Sequence, residues 1–298
     1  MQTWLIYNPT AGNGKAMRLY RALEPRLREA GVEILTTEYA GHATHLARSC
    51  GSEACTVISL GGDGTHHEVL NGLLPEANAV FAVLPAGTGN DFVRVLGYPT
   101  QPEAMLEAAL HGPIQPVDVG RAGDHYFLTV AGVGFDAEVA GWVNQRKKVG
   151  SGRSVFVRGI LHNLLHYRPQ PITAELETPT GKLTRSSDTF MVAAANTPFY
   201  AGGMQIAPHA DPHNGFLSVI WIDHLNHWQV LPMLARVLRG THLAHPRVKT
   251  FSISRMTVEG SPDLWVHADG EILGHLPIQI EVIPGAIRVR TGIASAGD

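Results

Sequence analysis

Cysteine is scarce in this chain, with only Cys50 and Cys55 among 298 residues. Their spacing matches no zinc-ligand pattern, and both read as ordinary reduced residues of a cytosolic protein. Long apolar runs are also missing, since none approaches the ~20 residues that span a bilayer. The opening residues Met1-Gln2-Thr3-Trp4-Leu5-Ile6-Tyr7 lack a basic stretch followed by an apolar core, so they are not expected to be a secretory signal. Neither sign of charge dominates. The net charge is −3 and the pI near 6.6, so no global positive field points to nucleic acid as a partner. These absences lead us to expect a soluble, cytoplasmic protein without a transmembrane segment, whose contact with the inner face of a membrane would be peripheral.

What is present is ample apolar material: 44% of residues are hydrophobic and 16% charged. At this length two domains are expected. The first ~120 residues alternate strand and helix signals, as a parallel α/β sheet requires. Strands are expected at Trp4–Tyr7, Glu33–Thr37, Thr56–Leu60 and Ala79–Leu84. Leu19, Leu23 and Leu27 recur at helical spacing ahead of Gly31, and further helices are expected near Ala43–Ser49 and Glu68–Leu73. From about His125 the runs become short, β-rich and separated by turns: Phe127–Ala131, Ile172–Leu176, Phe190–Ala195, Leu217–Ile222, Phe251–Ser254, Leu264–Val266, Ile278–Val282 and Ile287–Val289. Only Trp228–Leu238 and Val155–His166 read as helices there. The expected division is an α/β nucleotide-binding domain over 1–122 and a β-rich, sandwich-like domain over 123–298, whose last strand could return to the first.

Three strands of the first half run into loops of small residues. These are Asn8-Pro9-Thr10-Ala11-Gly12-Asn13-Gly14-Lys15, Gly61-Gly62-Asp63-Gly64-Thr65 and Pro85-Ala86-Gly87-Thr88-Gly89-Asn90-Asp91. In an open parallel sheet, loops at the carboxyl ends of strands line one crevice. Glycine lets backbone approach a phosphate, and a helix start favours its charge. One such cluster is an ordinary turn; three at successive strand ends argue for a nucleotide. The first is not a Walker A loop, because Pro9 stands where that pattern needs Gly. A carboxylate at Asp63 beside phosphates calls for a cation, for which magnesium is the usual choice.

With these loops, Asp118-Val119-Gly120, Gly132-Val133-Gly134-Phe135-Asp136, Gly202-Gly203-Met204 and Asp269-Gly270-Glu271, the chain resembles the diacylglycerol kinase catalytic-domain family, in particular its compact bacterial lipid kinases. The resemblance implies ATP held by Asn8, Pro9, Thr10, Ala11 and Gly12, by Thr37, by Gly62, Asp63, Gly64, Thr65, His66, His67 and Glu68, and by Thr88. It implies an active site in the cleft between the two domains and transfer of the γ-phosphoryl group to a lipid hydroxyl. Diacylglycerol is the first choice of acceptor, with phosphatidylglycerol or a sphingoid base as alternatives. A nucleotide-binding regulator without turnover is a further alternative. The proton acceptor carries over to Glu271, with Asp269 as its neighbour, while the related sphingosine kinases give a comparable role to the loop aspartate, here Asp63. Without the resemblance, Asp269-Gly270 would read as a two-residue hairpin turn. A structural magnesium site is implied at Asp211, Asn214 and Phe216, where family members usually carry a carboxylate in place of Asn214; an Asn-Gly turn is the competing reading. A lipid substrate at a membrane surface is the implied partner, and a homodimer is compatible with the sequence.

Gly132-Val133-Gly134-Phe135-Asp136-Ala137 fits a dinucleotide fingerprint, but no acidic residue follows between Glu138 and Glu175, which excludes the NAD reading. That acid-free stretch holds Arg146, Lys147, Lys148, Arg153, Arg158 and Arg168. It is either a solvated face or an electrostatic contact with anionic lipid.

Overall fold

A computed structural model describes residues 2–50, 54–76, 78–146, 153–164 and 166–292. The chain divides into two compact units, one formed by 1–117 with 285–298 and the other by 118–284.

In the first unit, β1 (Gln2–Tyr7), α1 (Lys15–Glu29), β2 (Glu33–Thr36), α2 (His42–Cys50), β3 (Cys55–Gly61), α3 (Asp63–Leu73), β4 (Val80–Pro85) and α4 (Pro102–His111) alternate along the chain. The strands are parallel in the order β2-β1-β3-β4. Every residue of β3 is buried, as expected of a central parallel strand covered on both faces. Leu23 and Leu27, one helical turn apart on α1, pack with Leu5, Ile58, Leu60 and Leu84 in one apolar cluster. Parallel pairing sends β1, β3 and β4 in one direction, so the loops after Tyr7, Gly61 and Pro85 emerge at the same end of the sheet.

A strand β5 (Ile114–Ala122) leads into the second unit, which holds β6 (His125–Phe127), β7 (Val130–Gly134), α5 (Phe135–Asn144), α6 (Arg153–Leu164), β8 (Gln170–Thr178), β9 (Gly181–Ala195), β10 (Phe199–Tyr200), β11 (Met204–Gln205), β12 (Leu217–Asp223), α7 (His227–Leu238), β13 (Val248–Ile253), β14 (Arg255–Gly260), β15 (Trp265–Ala268) and β16 (Glu271–His275). Here pairing is antiparallel. The order is β16-β15-β7-β9-β8-β14, followed by the first part of β17 (Ile278–Arg290), with β12 between β9 and β13. The last part of β17, at Arg288 and Val289, pairs in parallel with β4 of the first unit's sheet.

Alternation along β9 and β12 separates two cores. Val192, Ala194, Leu217, Val219 and Trp221 face a cluster built from strands, while Met191, Ala193, Ala195, Ile220 and Ile222 face one closed by α5, α6 and α7. Both faces of β12 and of the second half of β9 are therefore buried, which is why these stretches read as unbroken apolar runs.

Several elements depart from the sequence reading. The run 127–131 is broken, because the N–H groups of Leu128 and Thr129 bond the Asp269 carboxylate at 2.8 Å each instead of a neighbouring strand. The runs 278–282 and 287–289 form one strand. The polar first half of β9, along with α4, α5 and β14, carried no recognised signal. Part of the basic stretch, Lys147 and Lys148, lies outside the described residues; Arg146 stacks on Trp142 with its guanidinium carbon 4.3 Å from the ring centre.

Trp221 is fully buried and its indole N–H donates to Ser187 Oγ at 3.0 Å. Trp221→Ala should cost the second unit about 3–5 kcal/mol through the cavity it leaves, read as a lower urea midpoint by tryptophan-independent far-UV circular dichroism.

Candidate active site

The three glycine loops of the first unit are locked to one another. The Asn8 amide donates to Thr65 Oγ1 at 3.1 Å, joining the first loop to the second. Asn8 Oδ1 also accepts from the Thr10 N–H and hydroxyl, which folds the first loop back on its own start. Gly12, with φ +60°, lies where a Cβ would stand 1.8 Å from the Ala86 carbonyl oxygen of the third loop. Gly62 and Gly87 face each other so closely that a Cβ on Gly87 would lie 2.8 Å from the Gly62 Cα. No other residue type fits such contacts.

Asp63 supplies the polar part of this lock. Its carboxylate accepts from the backbone N–H of Asn90 at 2.8 Å and of Asp91 at 3.0 Å. Asp63 also opens α3, whose Thr65 and His66 N–H groups bond back to the Gly62 carbonyl. First-turn N–H groups of a helix lack intrahelical acceptors, and the positive end of the helix dipole favours an anion there.

The other predicted nucleotide residues divide by role. Glu68 faces α2, accepting from the Gly41 and Ala43 N–H groups at 3.0 and 3.2 Å, so it caps that helix. His66 is buried beneath the loop with its Nδ1 2.8 Å from Ser59 Oγ, and burial pushes the imidazole down to about 3, leaving it uncharged. His67 is buried as well. Pro9 and Ala11 are partly exposed in the first loop and Gly64 in the first turn of α3, Thr37 follows β2 with its N–H bonded to the Tyr7 carbonyl, and Thr88 is exposed in the third loop.

In the second unit, Asp269 and Gly270 both adopt positive φ, 50° and 84°, forming the two-residue turn between β15 and β16. Besides the Leu128 and Thr129 N–H groups, the Asp269 carboxylate accepts from the Thr129 hydroxyl at 2.6 Å. The Asn144 amide donates to the Gly270 carbonyl at 2.9 Å. His267 bonds on one side to Asp136 Oδ2 at 3.1 Å and on the other accepts from the Gly270 N–H at 3.3 Å. A Cβ at Gly132 would fall 2.0 Å from that Asp136 oxygen, so the glycine makes room for the buried Asp136–His267 pair. Glu271, the first residue of β16, is half-buried at the end of this braced turn.

The predicted metal ligands Asp211, Asn214 and Phe216 lie in a turn closed by its own bonds. The Asn214 N–H reaches the Asp211 carbonyl at 3.4 Å, and Asn214 Oδ1 accepts from the Phe216 N–H at 2.9 Å. The Gly215 N–H donates to buried Asp118 at 2.7 Å. Asn196 links Asp118 to the hairpin clamp, donating to the Asp118 and Leu128 carbonyls at 2.8 and 3.0 Å. Among the described residues no three His, Cys, Asp or Glu side chains cluster as a metal site.

Sequence reasoning missed His267, Asn196, Thr129 and the bracing roles of Asp118 and Asp136. Both aspartates sit in quoted motifs, and this was the available signal. His267 had none beyond its place two residues before Asp269.

Residues 2–122 match the diacylglycerol kinase catalytic domain, and residues 129–291 match the YegS C-terminal NAD kinase beta sandwich-like domain. The chain is 30% identical over 295 residues to a diacylglycerol kinase of Mycobacterium tuberculosis, covering 95% of this chain and 93% of that protein. It is 31% identical over 282 residues to a diacylglycerol kinase of Bacillus subtilis, covering 92% and 90%. A crystal structure from Bacillus anthracis str. Sterne superposes with a TM-score of 0.81 at 25% identity, covering 97% of this chain and 95% of that one. Matched over both units in this way, the chain belongs to the diacylglycerol kinase catalytic-domain family and is a lipid kinase, a phosphotransferase for which ATP is the phosphoryl donor.

Proposed function

We propose that the protein transfers the γ-phosphoryl group of ATP to the free hydroxyl of diacylglycerol, giving phosphatidic acid. The observation that carries the acceptor class is a narrow apolar cavity in the second unit. Phe135, Val139, Ile160, Phe190, Met233 and Val237 help to line it, and Asp136 and Tyr200 bring the polar groups among its walls. Its walls supply the apolar contacts that an acyl chain would need, while Asp136 joins the cavity through His267 to the hairpin that carries Glu271. A soluble polar acceptor would gain nothing from such a lining.

In this reading the first unit's loops hold the triphosphate against backbone N–H groups, with Asn8–Gly12, Gly62–Thr65 and Thr88 nearest it. His66, His67 and Glu68 act from beneath by fixing the loop and α2. An acceptor-rich corner formed by Asp63 and Asn90 suits the magnesium that accompanies ATP, since Asn90 Oδ1 is buried without a hydrogen-bond partner. Bound there, the ion would neutralise phosphate charge. The acceptor oxygen attacks the γ-phosphorus as the bond to the β–γ bridging oxygen breaks, and the hydroxyl proton passes to Glu271. Asp269, already committed to the Leu128, Thr129 and Val130 N–H groups and the Thr129 hydroxyl, holds the turn. The 211–216 turn is better explained by its hydrogen bonds to itself and to Asp118 than by a cation.

Two substitutions in the hairpin separate base from brace. Glu271→Gln should lower kcat about 10²–10⁴-fold with ATP affinity and stability unchanged, measured with diacylglycerol in mixed micelles and labelled ATP. Asp269→Asn should lower stability by about 1.5–3 kcal/mol through its charge-assisted bonds as well as activity. Near-normal kcat in Glu271→Gln would move the base to Asp63. Parallel assays with phosphatidylglycerol and a sphingoid base test the acceptor, and higher kcat/KM for either would displace diacylglycerol.

Asp63→Asn should abolish turnover and weaken nucleotide binding together, because one oxygen of the brace to Asn90 and Asp91 is replaced by a donor. Isothermal titration with ATP at several magnesium concentrations reads this. Wild-type turnover and affinity in the variant would remove Asp63 from the site.

A further inference from the structure

The helix α7 has two apolar faces, and only one is used inside the protein. Val230, Met233 and Val237 point into the core and line the apolar cavity. On the opposite side Trp228 is 89% exposed, and Leu231 and Leu238 are each 50% exposed. At 3.6 residues per turn, Trp228, Leu231, Pro232, Ala235 and Leu238 form one stripe, with Arg239 on the same face and Arg236 at its edge. The last turn of α6 adjoins the start of α7, with His227 Nδ1 2.7 Å from the Leu164 carbonyl oxygen. That helix adds Val157 and Leu161, 44% and 47% exposed.

We propose that the outer face of α7 is a docking surface for an anionic phospholipid bilayer, with Trp228 as its apolar anchor. This surface takes its purpose from the acyl-lipid reading of the cavity, and its existence from exposure and charge. No acidic residue occurs between Asp223 and Glu259, and the helix itself contributes Arg236 with Arg239 at its C-terminal end. Exposed tryptophan and leucine flanked by arginine suit the boundary between headgroups and acyl chains. A second copy is the poorer occupant, because a two-fold contact pairs a patch with itself and would bring like charges together. Docking by this face sets the helix that roofs the cavity against the bilayer from which a lipid acceptor must come.

The test is co-sedimentation of the full chain with sucrose-loaded vesicles of phosphatidylcholine alone or with 30 mol% phosphatidylglycerol. Wild type should favour the anionic vesicles and release as salt rises. Trp228→Ser with Leu231→Ser should bind them at least about tenfold more weakly, with an unchanged melting profile and unchanged kcat on acceptor in detergent micelles. Arg236→Glu with Arg239→Glu leaves the apolar stripe intact and should abolish the preference for anionic vesicles. Brominated lipids should quench wild-type fluorescence more than that of Trp228→Ser. Sedimentation of either double variant like wild type overturns the proposal, as does a Trp228-dependent dimer in sedimentation velocity. Vesicle binding through Trp228 in a protein inactive on every lipid would leave the docking surface standing and sink the acceptor reading. Normal micelle activity with Trp228-independent binding would do the reverse.

Discussion

Asp63 and Asp269 each turn a carboxylate toward two consecutive backbone N–H groups of another loop: Asn90 and Asp91 in the first unit, Leu128 and Thr129 in the second. Bonds of this kind involve a charged acceptor and contribute about 1.5–3 kcal/mol each. They matter here because loops at strand ends have no ladder to hold them. Without Asp63 the third glycine loop would be tied to the second mainly by the Ala86 N–H to Gly61 carbonyl bond. Without Asp269 the turn carrying Glu271 would still be held by Asn144, by His267 and by the bond from the residue 269 N–H to the Val130 carbonyl. In both units, charge that looks catalytic in the sequence is first of all structural.

Glycine completes the same design. Gly12 against Ala86, and Gly62 against Gly87, bring backbones together at distances that a methyl group would forbid. Such packing leaves the N–H groups of successive loops concentrated at one end of the first sheet, which is what a triphosphate requires. In the second unit Gly132 makes the corresponding space for the Asp136–His267 pair. The glycines of the motifs therefore serve two ends: some give a ligand access to backbone, and others let one part of the protein reach another.

Much of the fold class was legible because buried strands at β3, β4, β9 and β12 are continuous apolar runs and α1 and α7 keep helical spacing. What escaped was local structure set by distant partners. The break at Leu128–Thr129 is imposed by a carboxylate some 140 residues away, and no window of sequence contains both. The first half of β9 is polar because one face is exposed, so its pairing with β8 had no apolar signature. At the candidate site, the motifs pointed to three loops that the structure packs against one another, but not to the direction of each side chain. His66 and Glu68 lie within the glycine motif, yet one is buried against Ser59 and the other caps α2.

That distinction bears on what a hairpin, rather than a mobile loop, would give the proton acceptor proposed at Glu271. Proton transfer is sensitive to the placement of the acceptor relative to the hydroxyl. An acyl chain held by apolar contacts is fixed along its length but is less constrained about its axis. The precision must then come from the protein side. The β15–β16 turn supplies it through Asp269 to the chain before β7, Asn144 from the end of α5, and His267 backed by Asp136. Asp136 also belongs to the wall of the apolar cavity. A shift in how that wall accommodates a lipid would be transmitted through His267 to the Gly270 N–H, one residue from Glu271. Under the proposed function, this chain of contacts would couple the wall of the cavity to the position of the proposed base.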